Sequence, residues 1–127
     1  FRLMTLYTAV HNLLAHPSTM VRVQAVRTLQ AIEHRGTIQQ FIQSFDLQPL
    51  AVQNEILKAM KIAKSKESEH FLKELLWNHP QVSIKISAAE VLVVLGEEHY
   101  LQEVSQAGDT YDELRRIIKH ALQEKKC

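Results

Sequence analysis

Apolar residues recur at helical spacing in several stretches of the chain. Val21, Ala25, Leu29 and Ile32 occupy positions i, i+4, i+8 and i+11, which lie on one face of an α-helix. Polar side chains fill most of the positions between them, so this pattern predicts an amphipathic helix that buries one face. Later stretches repeat the same slots with Val52, Ile56, Met60 and Ala63, with Ile84, Ala88, Leu92 and Leu95, and with Leu114, Ile118 and Leu122.

The chain also repeats part of its own sequence. Residues 16–29 return as residues 79–92, shifted by 63 positions, and a weaker copy spans residues 47–60 between them. The repeat period is therefore 31–32 residues. A period of this length predicts stacked helical repeats, because one such unit cannot bury its apolar face alone.

We expect eight helices arranged in four helix–turn–helix repeats, which form a single domain over residues 1–127. Gly96 is predicted to follow a helix at its C′ position, and Ser18 or Thr19 to cap the helix after the first turn. Because the chain starts with Phe1, we expect it to be a segment of a longer protein. The repeats span about 1–34, 36–65, 67–96 and 97–126, and the predicted helices are 1–15, 19–33, 37–45, 50–64, 67–78, 83–95, 97–106 and 110–124.

Two of these repeats resemble HEAT repeats, specifically the short bacterial HEAT-like type. The resemblance implies an all-α fold, a right-handed α-solenoid of about four helix–turn–helix repeats. It also implies that the second helix of each pair lines a concave face that holds partners. The chain departs from the HEAT pattern at Gln53, where a basic residue is expected. The matching residues are Pro17, Val21, Arg22, Ala25, Val26 and Leu29 in the first repeat, and Pro80, Ile84, Lys85, Ala88, Ala89, Leu92, Leu95 and Gly96 in the third.

Composition is that of an ordinary globular domain. Of the 127 residues, 46% are hydrophobic and 23% are charged. The formal net charge of +1 gives no bulk electrostatic attraction to nucleic acid or to membranes. Charge is nevertheless segregated, because residues 1–66 carry a net +5, residues 67–114 a net −8 and residues 115–127 a net +4. This asymmetry either orients a partner or only solvates the outer helix faces.

The helix faces opposite the predicted core give the candidate partner-binding surface. In the first two repeats this face carries basic side chains on the second helix. In the third repeat Ile86, Val93 and Val94 make it apolar, which indicates either burial against a neighbouring helix or a binding or self-association surface. We predict that the partner contacts Val23, Arg27, Lys58, Lys61, Ile86, Glu90 and Val93.

The sequence contains no recognisable catalytic, cofactor-binding or metal-binding motif. Its seven histidines include no pair spaced by four residues on a helix. The Glu67-x-x-His70 spacing has no second copy, which a carboxylate-bridged di-metal bundle would need. His16 and His79 precede the turn prolines at equivalent places, so we assign them a structural role. Trp77 is expected to anchor the edge of the core.

We therefore predict a non-enzymatic protein–protein interaction or scaffold module that needs no cofactor and no metal. Its partner is a protein of unknown identity, nucleic acid is disfavoured, no membrane insertion is expected within this segment, and self-association stays open. One alternative is a structural spacer or oligomerisation element of a larger protein. The HEAT resemblance leaves another, because bilin lyase-type proteins and a class of alkylpurine DNA glycosylases contain such repeats. The cytoplasm is the favoured location, with a soluble region of a membrane-anchored protein as the alternative.

Overall fold

Regular structure is helical throughout the residues that the computed structural model describes, which are 8–32 and 36–126. Residues 8–12 belong to the first helix, α1, which passes into a 3-10 turn at Leu13–Ala15. Two more 3-10 turns, Phe45–Leu47 and Lys66–Ser68, precede the fourth and fifth helices. The helices that follow α1 are α2 (Thr19–Ile32), α3 (Thr37–Ser44), α4 (Leu50–Ala63), α5 (Glu69–Asn78), α6 (Val82–Val94), α7 (Glu98–Gln106) and α8 (Asp112–Lys126).

The repeat period reappears in the places where the second helix of each pair begins. The helices α2, α4, α6 and α8 start at residues 19, 50, 82 and 112, which are 31, 32 and 30 residues apart. Early hydrogen bonds of these helices are accepted by the carbonyls of Ser18, Pro49, Gln81 and Tyr111, at N···O distances of 3.0–3.3 Å. The all-helical fold class is thus confirmed for the described residues, whereas the solenoid arrangement stays a prediction.

Predicted and observed helix ends agree to within three residues wherever both are described. The first helix ends three residues before its predicted end, because residues 13–15 continue it as a 3-10 turn. The start of α8 lies two residues later than predicted, where the hydroxyl of Thr110 donates to the carbonyl of Val104 at 2.6 Å and closes the preceding turn. The predicted helical segments at 1–7 and at Glu33 lie outside the described residues.

The turns before α2 and α6 are built in the same way. The imidazole Nδ1 of His16 accepts a hydrogen bond from the N–H of Ser18 at 2.9 Å, and Nδ1 of His79 accepts one from the N–H of Gln81 at 3.0 Å. These contacts confirm the structural role predicted for both histidines. The hydroxyl of Ser18 also accepts from the N–H of Val21 at 3.4 Å, which confirms its capping role.

Gly96 ends α6 in the manner predicted for a C′ residue. Its φ of 86° lies in the left-handed region, which glycine adopts without a Cβ clash. The N–H of Gly96 donates to the carbonyl of Val93 at 3.1 Å, and the N–H of Glu97 donates to the carbonyl of Leu92 at 2.9 Å. This pair of bonds is a Schellman motif, which satisfies two carbonyls at the helix end.

The helices pack into two compact units, Phe1–Ala63 and Lys64–Cys127, called unit 1 and unit 2 below. In unit 1, α2 packs against α4, and in unit 2, α6 packs against α5 and α8. The apolar slots predicted on the second helices form the cores of these packings, although Ala63 is exposed at the end of α4. Buried members are Ala25, Leu29, Val52, Ile56 and Met60 in unit 1, and Ile84, Ala88, Leu92, Leu95, Leu114 and Ile118 in unit 2.

Candidate binding surfaces

A chain of side-chain hydrogen bonds joins the two helix pairs of unit 1. Arg22, on α2, donates through Nε to the carbonyl of His16 at 2.5 Å and through Nη1 to Oε1 of Gln48 at 3.2 Å. The amide of Gln48 in turn donates to the carbonyl of Leu14 at 3.0 Å. Since Gln48 is buried, this chain, called the inter-repeat bridge here, fixes the second turn of unit 1 against the first.

Unit 2 has an inter-repeat bridge at positions shifted by 63 residues, made by different side chains. Lys85 replaces Arg22, and its Nζ donates to the hydroxyl of Tyr111 at 2.7 Å. Tyr111 replaces Gln48, and its hydroxyl donates to the carbonyl of Trp77 at 3.4 Å. The basic residue that follows Val21 or Ile84 in the HEAT-like pattern therefore serves the scaffold in both units.

Arg27 and Lys58, two of the predicted partner-binding residues, meet at one carboxylate in unit 1. The Nε of Arg27 lies 2.5 Å from Oε1 of Glu55, and the Nζ of Lys58 lies 3.7 Å from its Oε2. The side chain of Glu55 is only 11% exposed, whereas those of Arg27 and Lys58 are 55% and 71% exposed. The carboxylate thus holds two cations in place, and the cluster keeps a net positive charge toward solvent.

This cluster surrounds a small depression that we call the basic pocket. Its volume is about 70 Å³, and its apolar floor lies between α2 and α4. The rim is charged, and Ile62 at the edge is an exposed aliphatic side chain. The lining residues are Val26, Arg27, Gln30, Glu55, Lys58, Ala59 and Ile62. The basic pocket therefore combines a small apolar recess with two available cations.

The other predicted partner-binding residues differ in how far they reach the surface. Lys61 is exposed on α4, and Val23 is half-buried on α2. On α6 of unit 2, Ile86 and Glu90 are half-buried, whereas Val93 is only 8% exposed. The apolar strip predicted on this helix is thus divided between buried and partly exposed side chains.

The charged residues of the basic pocket are replaced at the equivalent positions of unit 2. The 63-residue shift places Glu90 where unit 1 has Arg27, and Ile118 where unit 1 has Glu55. Ile118 is fully buried, and Ala121, which corresponds to Lys58, is buried as well. The two units therefore share their inter-repeat bridges and differ in the chemistry of this face.

Unit 2 contains a cluster of aromatic side chains that the sequence pattern indicated only through Trp77. The indole Nε1 of Trp77 donates to the hydroxyl of Tyr100 at 3.0 Å. Its ring meets that of Tyr111 edge to face, with centroids 6.3 Å apart and planes at 68°. The ammonium groups of Lys73 and Lys85 lie 4.2 Å and 4.9 Å from the centroids of Tyr100 and Tyr111. Trp77 is half-buried, which fits its predicted role at the edge of the core.

Glu69, Lys73 and Glu97 form a charged cluster that ties α5 to the residue before α7. The Nζ of Lys73 lies 2.8 Å from Oε1 of Glu69 and 3.0 Å from Oε1 of Glu97. Hydrogen bonds with Glu97 and with Lys73 lower the pKa of Glu69. The hydrogen bond to Glu69 raises the pKa of Lys73. At neutral pH the stabilising contacts of this cluster are those of the Lys73 ammonium with the two carboxylates, because a hydrogen bond between Glu69 and Glu97 needs a proton on one of them.

Replacing Glu69 by glutamine is expected to lower the free energy of unfolding at neutral pH. The variant should then lose less of its unfolding free energy on acidification than the native chain loses. Because the folded pKa of Glu69 is lowered, its charged form stabilises the fold above pH 4.5, and this contribution disappears as the pH falls through the lowered value. The difference in unfolding free energy between the native chain and Glu69→Gln should therefore shrink from neutral pH toward strong acid. Urea unfolding at several pH values measures it, with Asp109→Asn, an exposed carboxylate of unit 2, as the control. A difference that does not change with pH would contradict this account.

Histidine and glutamate side chains pair along the surfaces of three helices. The Nε2 of His70 lies 3.0 Å from Oε1 of Glu74, four residues later on α5. The histidine of the Glu67-x-x-His70 spacing therefore pairs with Glu74 on the helix surface. Similar pairs are formed by His99 with Glu103 at 2.7 Å and by His120 with Glu124 at 3.0 Å. Over the described ranges no three metal-ligating side chains come together. Among the same residues, no helix has both the length and the apolar character that crossing a membrane requires.

Comparisons of the chain with family models, with characterised proteins and with solved structures found no match. The resemblance to HEAT repeats therefore stays a prediction from the residue pattern. A fold alone does not determine function, so the indications of function lie in the chemistry of the surfaces.

Proposed function

We propose that this chain is a non-enzymatic protein-interaction module that binds an acidic segment of a partner protein. In this proposal the four repeats form a right-handed HEAT-like solenoid, and its concave face holds the partner. The contacting residues are Val23, Arg27, Lys58 and Lys61 in unit 1, and Ile86, Glu90 and Val93 in unit 2.

The basic pocket is the observation that carries this proposal. Arg27 and Lys58 place two exposed cations beside an apolar recess floored by Val26 and Ala59. A partner side chain that is aliphatic would fill the recess, and a neighbouring Asp or Glu would pair with the cations. Because Glu55 already orients Arg27, less side-chain entropy is lost on binding than for an unrestrained arginine.

The difference between the two units favours binding over a purely structural spacer. A spacer needs the inter-repeat bridges and the core, and both units have them. A spacer does not need an open basic pocket, but unit 1 has one. In unit 2 the positions of Glu55 and Lys58 hold Ile118 and Ala121, which are uncharged and buried. The lining of the pocket also contains no aromatic side chain, so it does not favour a glycosylase-like site, which would stack a base.

Selection from a random peptide library displayed on phage tests this proposal. The chain is immobilised, and enriched peptides are measured by fluorescence anisotropy against the native protein and the double variant Arg27→Glu with Glu55→Ile. This variant installs the residues that unit 2 has at the equivalent positions, so it reverses the surface charge without leaving Glu55 opposite another carboxylate. The matched control is Lys119→Glu, an exposed position on α8.

The expected result is enrichment of peptides with an acidic residue next to an aliphatic one. Their affinity for the double variant should fall by roughly 10-fold or more, which corresponds to the loss of about 1.4 kcal/mol. Lys119→Glu should bind them as the native chain does, although it lowers the net charge more than the double variant. Enriched peptides that bind the double variant with unchanged affinity would overturn the assignment to the basic pocket. Failure to enrich any peptide would favour the spacer.

A further inference from the structure

A second depression lies at another place in unit 1, among the turns that join its helices. Its volume is about 470 Å³, within the range of roughly 300–1,000 Å³ that is usual for ligand sites. We call it the turn cleft. It is formed by the end of α1, the first turn of α2, the last turn of α3 and the segment before α4. The lining residues are His11, Asn12, Leu14, Ala15, Arg22, Gln40, Gln43, Ser44, Leu47 and Gln48.

The lining of the turn cleft combines apolar contact with uncharged hydrogen-bonding groups. Leu47 is 82% exposed, an unusual state for a leucine, and it stands at the edge of the cleft. Gln40 and Gln43 lie on one side, and no hydrogen bond links their side-chain amides to another residue in the described part of the chain. Side-chain amides provide both donors and acceptors, which suits the backbone of an extended peptide. Arg22 is held against the cleft by the inter-repeat bridge.

Unit 2 indicates which group fits the turn cleft. The 63-residue shift carries Leu14 to Trp77 and Gln48 to Tyr111. In unit 2 these two positions therefore hold aromatic rings, which meet edge to face beside the ammonium of Lys85. In unit 1 the same positions hold a leucine and a glutamine, which are smaller, beside the guanidinium of Arg22. The scaffold is thus one that accommodates an aromatic ring next to a cation at this place.

We infer that the turn cleft binds an aromatic side chain presented by an extended segment of a partner protein. The ring would pack on the exposed side chain of Leu47 and against the guanidinium of Arg22, as the ring of Tyr111 packs beside Lys85. Gln40 and Gln43 would hydrogen-bond the peptide backbone on either side of the ring. This site is separate from the basic pocket and does not rest on the function proposed for it.

The chemistry of the lining argues against other occupants. A lipid chain would cover the side-chain amides of Gln40 and Gln43 without offering them hydrogen bonds, and unpaired buried polar groups are costly. Arg22 is the only lysine or arginine in the lining, which is too little positive charge to hold a nucleic-acid backbone. An aromatic side chain with its adjoining peptide groups uses both the apolar and the amide surfaces.

Titration with small aromatic probes, followed by NMR on the full chain, tests this inference. The probe is N-acetyl-tryptophanamide, and the matched control is N-acetyl-leucinamide, which has the same backbone and no ring. We expect the tryptophan probe to shift the side-chain amide signals of Gln40 and Gln43 with a Kd on the order of 1–10 mM. The leucine probe should bind about 10-fold more weakly or worse, because it lacks the ring contacts with Arg22.

Reciprocal transplants between the two units locate the binding. Leu14→Trp with Gln48→Tyr fills the turn cleft with the aromatic pair of unit 2 and should abolish the shifts. Trp77→Leu with Tyr111→Gln removes that pair from unit 2 and should create binding of the tryptophan probe there. Leu47→Asp should fold as the native chain does, because Leu47 is exposed. It therefore tests the inference even if the filled variant fails to fold. It should weaken binding of the tryptophan probe by about 5-fold or more, through loss of the apolar contact.

Equal binding of the two probes would overturn the inference. So would unchanged tryptophan binding in Leu47→Asp and in the filled variant, once circular dichroism shows that the variants are folded. The double variant Arg27→Glu with Glu55→Ile should bind the tryptophan probe as the native chain does. Failure of the basic pocket and failure of the turn cleft are therefore distinguishable.

Discussion

Replacing Leu92 by alanine is expected to lower the free energy of unfolding by about 2–5 kcal/mol. Leu92 is 0% exposed on α6, which packs against both α5 and α8, so truncation removes buried apolar contacts and leaves a cavity. The repeat places Leu29 at the equivalent position of α2, where it is 1% exposed. Leu29→Ala should therefore cost an amount in the same range, because both leucines occupy the same slot of the same architecture.

Urea unfolding followed by circular dichroism measures both losses. The control is Leu47→Ala, which changes an exposed leucine and should alter the unfolding free energy by less than about 0.5 kcal/mol. A loss below about 1 kcal/mol for Leu29→Ala, beside a large loss for Leu92→Ala, would contradict the equivalence of the two positions.

Reversing the charge of Arg27 alone is expected to destabilise the chain by about 1–3 kcal/mol. Glu55 is nearly buried, so Arg27→Glu removes its closest partner and places a second carboxylate beside it. Adding Glu55→Ile to this variant should return the unfolding free energy to within about 1 kcal/mol of the native value, because the repulsion is removed. The resulting pair, Glu with Ile, is the one that unit 2 has as Glu90 and buried Ile118.

Urea unfolding of the native chain, both single variants and the double variant closes this cycle. The expected coupling free energy between positions 27 and 55 is about 1–2 kcal/mol. Its sign should show that the native pair and the transplanted pair are each more stable than the pair of carboxylates in Arg27→Glu. Additive effects of the two substitutions would show that the contact between Arg27 and Glu55 contributes nothing to stability.

Most of the helical framework could be predicted because it depends on local rules. Pro17 lies in the turn before α2, because proline has a fixed φ and no backbone N–H. Gly96 lies just after α6, because glycine adopts a positive φ without strain. The apolar spacing identified the buried face of α2 and α6, since a helix face is set by position along one stretch of chain. The 3-10 turn Leu13–Ala15 was not predicted, because the choice between α and 3-10 hydrogen bonds at a helix end follows from small differences in the last turn.

The candidate sites were predictable only in part. Helix-face analysis identified Arg27 and Lys58, and the structure brings them to one carboxylate. Glu55 lies three residues before Lys58 on α4, so that pair follows from helical spacing alone. Its contact with Arg27 joins α4 to α2, and a face assignment made for one helix contains no information on which side chains meet across two. The inter-repeat bridges join residues 26 positions apart in both units. Aligning the repeats by sequence shows that Gln48 and Tyr111 are equivalent. It does not show that they contact Arg22 and Lys85.

The measurement that tests the account most directly determines stability and partner binding on one protein, the double variant Arg27→Glu with Glu55→Ile. The central claim is that the repeats supply a shared scaffold and that the basic pocket of unit 1 is a binding surface added to it. The account predicts a melting temperature within a few degrees of the native chain. It also predicts that the Kd for acidic peptides selected on the native chain rises by about 10-fold or more. Native-like melting together with an unchanged Kd would contradict the claim, because the pocket would then have been altered without consequence.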